Sequence, residues 1–148
     1  MTGPFLIVLV AAPALAAAIA LASNNARLAE GVNLLAAFVS FAMSVLLVIA
    51  AAAGAGGTWW GGYILLDVTG AWVVLCGAVV YLLASIYAIG YMRLLGEEER
   101  LARFYALFAA FAPTVLAGPL MNNAGLYWIA IEPTTLVSTF LVAFERDA

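Results

Sequence analysis

The sequence predicts an all-α protein, a polytopic transmembrane bundle of about five helices with its N-terminus outside and its C-terminus cytoplasmic. Three observations lead there. Of the 148 residues, 68% are hydrophobic and 9% charged, with a mean hydropathy of +1.15, whereas a soluble domain is about 45–50% apolar and about 25% charged. Apolar runs close to the roughly 20 residues that cross a hydrocarbon core recur along the whole chain. The five basic residues, all arginine, fall on one side of a five-span arrangement, as expected for flanks that stay in the cytoplasm.

The first span covers residues 3–22. Its APALAAA stretch has the small residues of a signal-peptide cleavage site, but MTGPF lacks a basic n-region and the apolar run is long, so it is read as a span. SNNARLAEG, with Arg27 and Glu30, is expected to form a polar turn before the second span, 32–53. GAGGTWWGGYILLD then reads as a glycine-rich outer loop whose Trp59, Trp60 and Tyr63 suit the headgroup region. Asp67 leads into the third span, 70–91, where it is expected to cap the helix; at that end it is also a candidate outer-surface proton entry. In MRLLGEEERLAR, the acidic run Glu97–Glu99 with Arg100 and Arg103 reads as a solvated cap at the start of the fourth span, 102–121. Pro113, Pro119 and the pair Asn122–Asn123 separate the fourth span from the fifth, 123–143. Residues 1–148 read as a single transmembrane domain without linker or repeat.

The residue inventory excludes several chemistries. With Cys76 as the only cysteine and no histidine, disulfide frameworks and Cys/His zinc sites are ruled out. Ligands for an iron–sulfur or nickel–iron centre and a phosphate-binding glycine motif are missing, so no cofactor or metal is assigned and electron transfer would belong to partner subunits. The alanines of the first span, Ala36, Ala37, Ser40 and Ser44 in the second, and Ala84, Ser85 and Ala88 in the third are expected to let helix backbones approach closely. Tyr81, Tyr87 and Tyr91 are expected to be interface anchors or inter-helix hydrogen-bond donors rather than a radical or quinone site.

Glu132 breaks this pattern. A carboxylate in the middle of a membrane helix is costly, and such residues usually turn inward, take a partner or line water. Thr135 and Thr139, three and seven positions on, share its helical face. Pro133 has no amide hydrogen, so the carbonyl of Ile129 loses its partner if the helix continues, leaving a place for water beside the carboxyl group. Burial disfavours a carboxyl's charged form, so this constellation points to proton uptake and release. The competing reading is a protonated acid that holds two helices together. A carboxylate with hydroxyl neighbours suits sodium as well as protons.

The ordered set of Asp67, YAIGYM at Tyr87–Met92, RFYALF at Arg103–Phe108, and NNAGLYWIAIEPTTLVSTFLVAF at Asn122–Phe144 resembles the N-terminal portion of the antiporter-like proton-translocating family. That family includes the large membrane-arm subunits of complex I, Mrp-type antiporters and subunits of membrane-bound hydrogenases. The last stretch is most similar to the hydrogenase-4 F-type subunit, and residues 65–144 carry the likeness. The resemblance implies that Glu132 is the acidic member of a glutamate–lysine pair on a mid-membrane proton path. It also implies a prokaryotic cytoplasmic membrane, partner membrane-arm subunits and redox subunits. Two departures stand out: Pro133 replaces a residue that is commonly small, and the sequence contains no lysine. The basic partners would then sit on another chain. The alternatives are a shortened scaffold or assembly subunit, which does not translocate, and an inactive truncation.

Overall fold

The computed structural model describes residues 2–23, 25–95 and 98–146, with the side chains of residues 93, 95, 98–100 and 143–146 outside the description. The fold is all-α. Its helices are α1 (Gly3–Ser23), α2 (Ala26–Ala52), α3 (Val68–Leu95), α4 (Glu98–Ala117) and α5 (Ala124–Arg146). All five are long and apolar enough to cross a membrane. A hairpin of β1 (Gly57–Trp59) and β2 (Ile64–Leu66) joins α2 to α3, and a 3₁₀ turn (Gly118–Leu120) joins α4 to α5.

Two stretches depart from the sequence reading. Arg27 and Glu30 lie within α2, not in a turn. The Asn25 side chain accepts the amides of Arg27 at 3.1 Å and Leu28 at 3.2 Å, and an N-cap in front of good helix formers is enough to start the helix there. The Trp-rich loop is a two-stranded antiparallel hairpin pairing Gly57 with Leu66 and Trp59 with Ile64. Its turn needs left-handed backbone at Trp60, Gly61 and Gly62, which the two glycines supply without a Cβ clash. The Glu97–Glu99 cap lies outside the described residues, except that α4 begins at Glu98.

Asparagines close the hairpin end. Asn122 donates its amide to the Tyr63 carbonyl at 2.8 Å and its side-chain NH₂ to the Gly62 carbonyl at 2.9 Å. Asn123 caps α5 by accepting the amides of Gly125 and Leu126. Gly3 sits against the Trp59 ring, so the N-terminus shares this end. Arg27 and Arg103 lie at the opposite end, near the starts of α2 and α4.

The core is built around α4. Ala102, Tyr105, Ala106, Ala109, Ala112 and Leu116 are buried at helical spacing, and α1 and α2 both pack on this helix. Ala16, Ala36 and Ala109 form one contact cluster among α1, α2 and α4. Small residues let the backbones approach closely where lipid offers no hydrophobic drive. Ser40 of α2 donates to the Leu9 carbonyl of α1 at 3.3 Å.

Polar groups join α2 to α3. Tyr81 OH donates to Asn33 Oδ1 at 2.8 Å, Asn33 Nδ2 donates to Ser85 Oγ at 3.1 Å, and Ser85 Oγ donates to the Tyr81 carbonyl at 2.8 Å. All three residues are buried, Asn33 at 1% exposure. Tyr81 is therefore an inter-helix donor, whereas Tyr87 and Tyr91 are exposed and stacked 6.0 Å apart. Asn33→Ala should destabilise the chain by about 1–3 kcal/mol, because it leaves the Tyr81 hydroxyl buried without its acceptor. Equilibrium unfolding in mixed micelles measures this, and a double-mutant cycle with Tyr81→Phe should show the two costs to be non-additive.

Candidate functional site

α5 is the outlying helix. It packs on α4 and the 3₁₀ turn, and none of the residues in its membrane-spanning window is buried. The half-buried positions Leu126, Ala130, Thr134, Val137, Ser138 and Leu141 form the stripe that meets the bundle. Thr134 anchors it, with its Oγ1 lying 2.9 Å from Thr114 Oγ1 of α4 and 3.3 Å from the Ala130 carbonyl. Thr114 in turn donates to the Phe111 carbonyl at 2.6 Å.

Both threonines follow a proline that the helix runs through, Pro113 in α4 and Pro133 in α5. Neither proline can donate to the carbonyl four residues back, Ala109 or Ile129. Two helices thus carry a Pro-Thr step at the same level, and the threonines hydrogen-bond across it. The sequence signal for this pair was the repeated Pro-Thr dipeptide, which is visible only when the two spans are compared.

Glu132 is on the other side. At 3.6 residues per turn it stands about 160° around α5 from Thr134, and it is exposed, as are Pro133, Thr135 and Thr139. Helical periodicity therefore does bring Glu132, Thr135 and Thr139 onto one face, but that face points away from the five-helix bundle. Trp128, 72% exposed, lies on it one turn before Glu132. Thr139 Oγ1 donates to the Thr135 carbonyl at 2.8 Å, and Ser138 donates to the same carbonyl at 2.9 Å. Among the described residues Glu132 makes no hydrogen bond or salt bridge. Inward burial within this chain, the first expectation for such a carboxyl group, is not what this fold provides.

Asp67 does cap α3, accepting the Gly70 amide at 2.8 Å. It also borders an open groove of about 550 Å³ between α3 and α5, which includes Thr114 and Thr134 in its lining but not Glu132. Asp67 and Glu132 therefore belong to two separate surfaces, divided by the thickness of α5.

Compared with protein-family models, characterised proteins and solved structures, the chain finds no match.

The two faces of α5 should respond differently to the same change. Thr134→Ala removes an inter-helix hydrogen bond and should cost about 0.6–1.7 kcal/mol, the range for such bonds within membranes. Thr135→Ala on the outward face should stay within about 0.5 kcal/mol in the isolated chain. Unfolding measurements that found equal costs would mean that α5 is not docked through Thr134.

Proposed function

We propose that this chain is a membrane-arm subunit of a proton-translocating oxidoreductase complex, of the hydrogenase-4 or complex I type. It contributes a mid-membrane glutamate to a proton path whose basic partner is supplied by another chain. The observation that carries this reading is the outward placement of Glu132. A carboxyl group left facing hydrocarbon costs several kcal/mol, yet this one sits on an exposed helix face with Thr135, Thr139 and Trp128. A second protein surface bearing a cation and hydrogen-bond donors resolves that cost. The sequence contains no lysine, and the likeness of Asn122–Phe144 to the antiporter-like family supports a lysine as the missing member.

The same reading sets the chain in a prokaryotic cytoplasmic membrane. Arg27 and Arg103 sit at the end opposite the hairpin, and chain direction carries Arg93, Arg100 and Arg146 to that end as well. An excess of arginine marks the cytoplasmic side, which leaves the hairpin and the N-terminus outside. Redox chemistry and its cofactors belong to partner subunits in this scheme.

Glu132→Gln tests the role. In membranes containing the assembled complex, redox-driven proton uptake should fall at least tenfold while the complex is recovered in wild-type yield. Unchanged proton movement with a reduced yield of complex would reject the translocating role and leave the scaffold reading.

A further inference from the structure

Five polar side chains of α3, α4, α5 and the α3 cap line one groove near the hairpin end. Of the grooves on this half of the molecule, the one between α1 and the hairpin, about 310 Å³, has no hydroxyl or charged side chain in its lining. The cleft of about 400 Å³ between α3 and α4 has only Tyr81 and Cys76 to interrupt its apolar wall. The groove between α3 and α5 differs: Asp67, Thr69, Thr114, Tyr127 and Thr134 all line it. Asp67 and Thr69 stand at the start of α3, by the hairpin, whereas Thr134 is ten residues beyond the first residue of α5. At 1.5 Å per residue that is a descent of about 15 Å, about half of a 30 Å hydrocarbon core.

The groove's electrostatics favour cations. One oxygen of Asp67 is taken by the Gly70 amide, and the other makes no hydrogen bond among the described residues. α4 ends at the groove with its C-terminal carbonyls, the negative pole of a helix, and Pro119 has no amide to give to the carbonyl of Val115, a lining residue. Gly70 lets the Pro119 carbonyl and the Asp67 cap approach the start of α3 closely: a Cβ there would stand 2.7 Å from Asp67 Oδ1 and 3.0 Å from the Pro119 carbonyl. At the deep end the Thr134 and Thr114 hydroxyls keep acceptor lone pairs for water. A groove of this volume, with a carboxylate and several hydroxyl groups set in its largely apolar lining, has the room and the partners that ordered water requires.

We propose that the groove between α3 and α5 is an aqueous inlet, open at the Asp67 end. It admits water and small monovalent cations, hydronium or sodium, as far as the Thr114–Thr134 pair. This goes beyond the role assigned to Glu132 and does not rest on it, since Glu132 faces the opposite side of α5.

Cysteine accessibility in native membrane vesicles tests the inlet. Cys76→Ser removes the natural thiol, and Thr58→Cys at an exposed position of the hairpin identifies the vesicle side from which the inlet opens. Single substitutions Thr134→Cys and Ile131→Cys report on the groove; Ile131→Cys leaves the threonine pair intact. Thr135→Cys and Leu136→Cys report on the same depth away from it. With membrane-impermeant thiosulfonates added on the hairpin side, the groove positions should react at least tenfold faster than the other two. A cationic reagent should outpace an anionic one, and Asp67→Asn, which retains the N-cap acceptor, should reduce that preference by roughly fivefold. Groove positions that react no faster than Thr135→Cys, or a preference unchanged by Asp67→Asn, would overturn the proposal. Neither result depends on proton flux or on complex yield, so the inlet and the role of Glu132 stand or fall separately.

Discussion

Inside a bilayer a polar group finds a partner in the protein or goes without, and this constraint organises the molecule. Asn33, Tyr81 and Ser85 satisfy one another in a closed buried set that fixes α2 against α3. Asn25, Asp67 and Asn123 each take up backbone amides at a helix start. Thr114 and Thr134 join the two proline-interrupted helices where a regular hydrogen-bond ladder is broken. Glu132 is the exception among the ionisable groups in mid-span, a carboxyl group without a hydrogen bond among the described residues. The proton-path role proposed for Glu132 follows from treating that exception as a partner's place.

The packing explains how the exception is tolerated by the fold. α1, α2 and α4 are held through alanines and serines at close approach, with α3 fastened to α2 by the Asn33 cluster. α5 adds little to that core. Its attachments are a stripe of half-buried residues along α4 and the cap at Asn123, which Asn122 ties to the hairpin. The bundle can thus form while the far face of α5 remains available. α5 is thus peripheral and carries a carboxyl group on its exposed face, while the separate groove on its other side holds the Asp67 carboxylate and the Thr114 and Thr134 hydroxyls.

Much of this was legible in the sequence, and what was not has physical reasons. Hydropathy and length located all five helices, because a spanning helix must be apolar throughout and about 20 residues long. The start of α2 is hidden because Arg27 and Glu30 read as turn residues by polarity, although both are good helix formers and an asparagine precedes them. The hairpin reads as a loop in the sequence because its strands are three residues each, too short to show alternation. The Asn33 cluster is invisible in the sequence because a single asparagine in an apolar run does not reveal its partners, which lie 48 and 52 residues away. Periodicity correctly put Glu132, Thr135 and Thr139 on one face, but periodicity states which residues share a face and not what that face meets. The same limit hides Thr134, which hydrogen-bonds α5 to α4.

The most direct test of the central claim, that protein covers the outward face of α5, is site-specific photo-crosslinking in native membranes. A photoreactive amino acid at Trp128 or Thr135, on either side of Glu132 along that face, should form a covalent product with a second polypeptide. The same group at Thr134 should react only within the chain, with α4. If Trp128 and Thr135 give lipid adducts alone while Thr134 gives its internal product, the outward glutamate faces the bilayer and the claim is wrong.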